Sequence, residues 1–108
     1  MVVSSPPPPP PPPPAIEQPA PRQVSYGLVS GRAAAGTRRV LVTVGGRVLA
    51  AKPLRGRRFM LQVDLPVGDL ALRVITIGAD GRRSSAVVRD VFGLPAAARP
   101  RPVAERND

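Results

Sequence analysis

A pair of glycines between two β-branched runs constrains the fold of this chain more than any other feature. Gly45 and Gly46 join residues 38–44 to residues 47–51. A type I′ turn needs a positive φ at both central residues, and glycine adopts that conformation at little cost. The sequence therefore predicts a β-hairpin, and the alternation of its first arm places Val40, Val42 and Val44 on one face.

Other short apolar runs predict that the whole domain is all-β. Residues 58–65 alternate between apolar and polar, which is typical of a half-buried strand, and residues 70–77 are apolar on both faces, which is typical of a central strand. Residues 52–57 are expected to form a loop or a degenerate edge strand, because Pro53 cannot donate to a ladder. The strands are expected at 24–29, 38–44, 47–51, 58–65, 70–77 and 83–91. Spacings of about 8 to 12 residues, with Gly or Pro at the breaks, favour a sandwich or a small barrel.

Proline sets the expected boundaries of this domain. Residues 6–14 are an unbroken proline run, which favours a stiff polyproline II segment. We therefore expect a disordered polyproline spacer over residues 1–22, a β-sandwich over 23–95 and a flexible Pro/Arg tail over 96–108. A ligand for a proline-binding domain is a weaker alternative for the spacer, because the nearest flanking basic residue is Arg22.

The residue inventory argues against catalysis. The chain has no histidine and no cysteine, which removes the commonest general base, the commonest metal ligands and any disulfide. Its serine and threonine hydroxyls have no evident base, so we expect neither an enzyme nor a cofactor or metal site. A weak calcium site at Asp64, Asp69 and Asp90 is an alternative, although aspartates at turns more often serve local hydrogen bonds.

Three segments resemble a known family of domains. Residues 36–48 resemble the G-T-x-x-V-x-V-x-V-N-G-x-x-V segment of bacterial Ig-like modules. Residues 58–68 resemble the G-x-F-x-x-x-V-x-L-x-x-G segment of these modules, and residues 72–81 resemble their I-x-V-x-A-x-D-x-x-G segment. The resemblance implies a small Ig-like antiparallel β-sandwich of six to seven strands. It also implies an accessory module of the kind found beside catalytic domains in secreted and cell-surface bacterial enzymes, including polysaccharide-active and β-lactamase-like ones.

The positive charge of the chain is a second feature that bears on its function. The net charge is +9, and a chain this basic is attracted to polyanions. If strands 58–65, 70–77 and 83–91 run up, down and up, Arg57 and Arg58 lie at the same pole as Arg82 and Arg83. These four arginines are the candidate contact for an anionic polymer, and solvated strand ends are the alternative explanation. Whether residues 38–39 join this pole depends on the path of residues 52–57.

These observations lead to two functional hypotheses. The first is a non-catalytic Ig-like accessory or spacer module of a secreted or envelope-anchored bacterial protein, which presents or docks a neighbouring catalytic domain. The second is a basic module that binds nucleic acid or another anionic polymer without specificity. The lack of aromatic residues among the arginines counts against nucleic acid, and an anionic cell-envelope polymer fits better.

Location and oligomeric state follow from weaker signals. No run of about 18 apolar residues is present, so no membrane span is expected. No leader peptide is visible after Met1, so a secreted or envelope location implies a removed or omitted leader, and a cytoplasmic location remains an alternative. We expect a monomer.

Overall fold

The computed structural model describes residues 11–95 and residue 97, and these residues form a sandwich of two β-sheets. The strands are β1 (Ala15–Gln18), β2 (Val24–Ser25), β3 (Leu28–Arg32), β4 (Thr37–Val44), β5 (Arg47–Pro53), β6 (Arg58–Gln62), β7 (Gly68–Gly78) and β8 (Arg83–Gly93). The smaller sheet has the order β1-β3-β6, and the larger sheet has the order β2-β8-β7-β4-β5. The predicted all-β sandwich is confirmed. Its strands pair antiparallel, except that β2 runs parallel to β8.

The predicted hairpin is β4–β5. Gly45 has a φ of 58° and Gly46 a φ of 79°, and Val44 pairs with Arg47 on either side of them. The register shifts by one residue between Val42 and Thr43, which is a β-bulge on the β5 side. Two positive φ values at the tip are what the glycine pair predicted.

The core lies between the two sheets, and the alternation of the strands determines its members. Phe59 and Leu61 of β6 are buried, whereas Met60 between them is exposed. Val40 and Val42 of β4 face the same core, as the sequence predicted. The core cluster consists of Val29, Ala33, Val40, Val42, Phe59, Leu61, Val63, Leu65, Leu72 and Val74.

The longest strand lies inside the larger sheet. β7 pairs with β4 on one side and with β8 on the other, as expected for a run that is apolar on both faces. Leu72 and Val74 face the core, whereas Ile75 and Ile77 are half-buried on the outer face of the sheet.

The first predicted strand is divided between the two sheets. The alternation predicted one strand over residues 24–29, but β2 pairs with β8 in the larger sheet and β3 pairs with β6 in the smaller one. Gly27 lies at the crossing, with a φ of 98°. Its carbonyl accepts a hydrogen bond from the Val63 N–H (2.8 Å). A glycine with positive φ ends one strand and redirects the chain into the other sheet. This division turns the six strands expected from the sequence into seven, and β1 is the eighth.

Part of the expected spacer belongs to the sandwich. The prediction that residues 1–22 are disordered is wrong for residues 15–18, which form β1 and pair with β3. Ile16 packs against the core cluster from this strand. A short strand between prolines is tolerated at a sheet edge, where only one side needs hydrogen-bond donors. Residues 1–10, the expected tail residue 96 and residues 98–108 lie outside the described residues.

Candidate functional site: the basic pole

The path of the chain gives the sandwich two distinct poles. At the first, which we call the basic pole, the chain passes through residues 33–36, 54–57 and 79–82. At the opposite pole it passes through the Gly45-Gly46 turn and residues 63–67. A backbone hydrogen bond from the Ala33 N–H to the Arg57 carbonyl (2.7 Å) connects two of the segments at the basic pole.

The four arginines predicted as a site lie at the basic pole. Arg57 ends the connection that leads into β6, and Arg58 is the first residue of that strand, opposite Arg32 of β3. Arg82 ends the turn between β7 and β8, and Arg83 begins β8 opposite Ile77. Arg58 begins a strand of the smaller sheet, and Arg83 begins a strand of the larger one, so the two doublets lie at the pole in different layers.

Two of the four arginines also serve the fold. The Nε–H of Arg57 donates to the Ala33 carbonyl at 3.1 Å, which adds a side-chain bond to the backbone bond between the same residues. The backbone N–H of Arg82 donates to Oδ1 of Asp80 at 3.0 Å. Asp80 is therefore a turn residue, and it places one carboxylate within an otherwise cationic pole.

Residues 38–39 join the basic pole as well. β5 returns along β4 as far as Pro53, which pairs with Arg39, and the Leu54 N–H donates to the Arg38 carbonyl at 2.8 Å. Residues 54–57 then cross to β6, so the chain neither forms a second plain hairpin nor adds a vestigial strand. Both arginines are exposed.

Sequence reasoning missed further cations at this pole. Arg32 ends β3, Lys52 pairs with Val40 near the end of β5, and Arg55 lies in the crossing. Arg32 was missed because the strand was expected to stop at Val29, whereas β3 continues to Arg32. The cations of the basic pole are Arg32, Arg38, Arg39, Lys52, Arg55, Arg57, Arg58, Arg82 and Arg83.

Three of the acidic residues that the structure describes lie at the other end. Asp69 pairs with Phe92 near the start of β7, and Asp90 lies at the bulge of β8. Asp64 follows the end of β6. Among the described residues, no group of three or more His, Cys, Asp or Glu residues is placed to hold a metal ion.

Two cavities formed by the described residues have hydroxyl groups in or beside their lining. A cavity of about 330 Å³ at the basic pole is lined by Pro11, by residues 34–37 and by part of the turn at 78–82. A larger one of about 550 Å³ lies beside Ser25 and Tyr26. The Ser25 Oγ accepts a hydrogen bond from the Gly27 N–H (3.2 Å), and the chain has no histidine to activate the hydroxyl.

The chain enters and leaves the sandwich at opposite poles. The Ser84 Oγ donates to the Pro11 carbonyl at 3.1 Å, which holds the end of the proline run at the basic pole. β1 begins there too, since Ala15 pairs with Arg32. At the other end the Leu94 N–H donates to the Ser25 carbonyl at 2.9 Å, just after the last residue of β8.

Comparison with solved structures shows the fold. A structure described as fibronectin(III)-like modules of CbhA from Clostridium thermocellum has a TM-score of 0.54 to this chain and 22% sequence identity. The match covers 76% of this chain and 96% of the other. The chain has the fold of a fibronectin(III)-like module. This agrees with the Ig-like sandwich predicted from the sequence, whereas no protein-family model and no curated protein matches the chain.

No helix formed by the described residues combines the length and the apolar character that a membrane crossing requires.

Proposed function

We propose that this chain is a non-catalytic accessory module of a secreted or envelope-anchored bacterial protein, and that it holds a neighbouring catalytic domain at a fixed distance. The observation that supports the proposal is that the chain enters the sandwich at one pole, near Pro11, and leaves it at the other, after Leu94. A domain with both ends at one pole would bring its neighbours together, whereas this arrangement separates them.

The dimensions of the sandwich suit a spacer. β7 has 11 residues, and a strand rises by about 3.3 Å per residue, so the poles lie roughly 35 Å apart. The ends are held by pairing, because β1 pairs with β3 and β2 pairs with β8. A proline run that continues from the basic pole would extend the separation as a stiff segment.

The absence of catalysis is supported by the side chains and by the fold. Lys52, the only lysine of the chain, lies in an exposed position on an edge strand beside Pro53, with no hydroxyl among the residues that share its cavity. The similarity to a fibronectin(III)-like module of a bacterial protein fits an accessory role.

Scattering from a fusion protein tests the spacer role. We would fuse a small folded reporter domain to each end of the full chain and measure the distance distribution by small-angle X-ray scattering. In the control, a Gly/Ser segment of equal length replaces residues 11–95. The proposal predicts two separate lobes whose spacing does not change with salt, whereas the control gives a broad distribution typical of a flexible linker. Indistinguishable distributions, or reporters in contact, would contradict the proposal.

A second function, binding of an anionic polymer, is favoured by the concentration of cations at the basic pole. Contacts of this kind lose affinity steeply with salt, because bound counterions are released. The polymer that best fits an envelope protein is an anionic cell-envelope polymer. Phe59, the aromatic residue next to Arg58, is buried and cannot stack on a base, which argues against nucleic acid.

Heparin retention with matched arginine variants tests this second function. The triple variant Arg38→Ser/Arg58→Ser/Arg83→Ser removes exposed cations of the basic pole and keeps Arg57, whose bond to Ala33 supports the fold. The control triple variant replaces Arg47, Arg73 and Arg89, which are exposed elsewhere, and it changes the net charge equally. Binding at the pole predicts earlier elution of the first variant, and equal elution of both would show attraction by net charge alone.

A further inference from the structure

A groove runs along one open side of the sandwich. Both sheets end there in an edge strand, β6 in the smaller sheet and β5 in the larger. The space between them is a cavity of about 290 Å³, at the lower limit for small-molecule sites. Its lining consists of Val40, residues 52–55 and residues 58–61.

The hydrogen bonds of β6 show which of its backbone groups face this groove. Arg57 and Val63 bond to the β3 side, through Ala33 and Gly27. Bonded positions alternate along an antiparallel pair, so Phe59 and Leu61 bond to β3 as well. The N–H and C=O groups of Arg58, Met60 and Gln62 consequently point away from β3, to the edge where no described strand pairs.

The other three edges of the sandwich are protected against pairing. The Leu54 N–H donates to the Arg38 carbonyl, so the backbone groups of Leu54 point towards β4. Because this direction alternates along a strand, the backbone nitrogen of Pro53 points outward, and it carries no hydrogen to donate. Lys52 adds a charge on the core side of the same strand, since it pairs with buried Val40. β1 is four residues long between Pro14 and Pro19, and β2 has two residues. Proline, inward charges and very short strands are common protections of an edge, and β6 has none of these three. Its single charged side chain, Arg58, is at its first position.

The side chains along the groove define the chemistry of a partner. Met60 is 66% exposed, and the buried side chains of Phe59 and Leu61 with half-buried Leu54 form an apolar floor. Lys52, Arg55 and Arg58 form a cationic rim at the basic-pole end. None of the described residues that line the groove carries a carboxylate that would neutralise this rim.

The geometry points to a docking site for an extended acidic peptide segment of a partner protein, which adds to β6 as a further strand of the smaller sheet. Backbone bonds to Arg58, Met60 and Gln62 would supply the affinity, and the groove would supply the selectivity. The segment would place alternate apolar side chains over the groove and acidic side chains beside the cationic rim. A second copy of this chain fits less well, because two edges that carry the same positive charges repel each other. The inference goes beyond the spacer role and does not depend on it.

Binding of synthetic peptides tests this site. The probe is a fluorescein-labelled peptide of sequence EVEVEVE, measured by fluorescence anisotropy with the full chain. A peptide of sequence KVKVKVK has the same pattern and the opposite charge, and we expect it not to bind. Equal binding of both peptides would refute the recognition of acidic residues.

Two substitutions at one position separate the backbone from the side chain. Met60→Pro and Met60→Thr both remove the methionine, but only proline removes the outward N–H and obstructs the edge. Neither removes a bond to β3, because Met60 is at an outward position. We expect Met60→Pro to bind about tenfold more weakly than Met60→Thr, and equal affinities would overturn the proposal. If Met60→Pro does not fold, as judged by circular dichroism, an EVEVEVE peptide N-methylated at alternate residues replaces it; undiminished binding of that peptide would also overturn the proposal.

Charge variants and the oligomeric state complete the test. Lys52→Ser/Arg55→Ser should weaken binding of EVEVEVE severalfold more than Arg47→Ser/Arg73→Ser, which removes the same charge elsewhere. Equal effects of the two double variants would contradict a cationic rim. A dimer that forms without peptide and is abolished in Met60→Pro would assign the edge to a second copy of the chain, which also contradicts the proposal.

Discussion

The crossing between the two sheets at Gly27 gives the sharpest test of the fold. A Cβ placed on this glycine would overlap the carbonyl oxygen of Val63 and lie 2.8 Å from Nε2 of Gln62. The backbone oxygen cannot move away without disturbing the bond from the Val63 N–H to the Gly27 carbonyl. Gly27→Ala therefore combines an unfavourable φ with a steric conflict, and both weaken the connection between β2 and β3.

Gly36 provides a matched control for the backbone conformation alone. Its φ is 85°, close to the 98° of Gly27, but a Cβ added there meets no atom within 4 Å. A non-glycine residue in a left-handed conformation costs about 1–2 kcal/mol, which is the whole expected effect of Gly36→Ala. Loss of a buried backbone bond adds about 1–3 kcal/mol, so Gly27→Ala should cost roughly 2 kcal/mol more than Gly36→Ala.

Chemical unfolding followed by circular dichroism measures this difference as a free energy, and thermal unfolding measures it as a shift in melting temperature. For a domain of this size, 1 kcal/mol corresponds to a shift in melting temperature of about 4–8 °C, so the two variants should differ by roughly 10 °C. Gly27→Ala removes a large part of the total stability expected for a small domain. If both variants lost equal stability, Gly27 would not approach Val63, and the division of residues 24–32 between two sheets would be refuted.

Further predictions concern the core, a buried hydroxyl and the hairpin, and all are measured as free energies of unfolding. Val42→Ala should cost about 2 kcal/mol, because Val42 is fully buried. Val48 is 53% exposed, so Val48→Ala should change stability by less than about 0.5 kcal/mol. Equal costs would contradict the assignment of the core face. Thr37→Val should cost about 1 kcal/mol, since it removes the bond of 2.7 Å from the Thr37 Oγ1 to the Ala34 carbonyl, and a neutral effect would show that this bond does not form. Gly45→Asn should be tolerated and Gly45→Val should cost about 1–2 kcal/mol, because asparagine adopts a positive φ more readily than valine; equal costs would argue against the type I′ turn.

Strongly periodic segments could be predicted from the sequence, and the strand ends could not. The alternation around Phe59 and Leu61 identified the core face of β6, and the two glycines identified the hairpin, because both signals depend only on local chain geometry. The division at Gly27 escaped prediction, because residues 24–29 alternate as one strand would and only the tertiary position of Val63 shows why the chain turns there. β1 escaped prediction as well, because its prolines and polar residues resemble a linker.

The candidate site could likewise be predicted only in part. Alternating strand directions placed Arg57 and Arg58 at one pole with Arg82 and Arg83, but the extent of the cluster depended on where β3 ends and how residues 54–57 cross. The open edge of β6 could not be predicted, because it depends on which strands lie beside β6. Local periodicity does not indicate which distant strands pair.

The separation of the chain ends tests the central claim most directly. Since the chain has no cysteine, single cysteines can be introduced at Pro12, Arg55 and Pro95, which are exposed, and labelled in pairs for electron–electron double resonance. Arg55 marks the basic pole. The structure predicts a short distance between Pro12 and Arg55 and a single narrow peak at roughly 35 Å between Pro95 and Arg55, from the length of β7. Similar distances for the two pairs would place the entry and the exit of the sandwich at one pole and contradict the account.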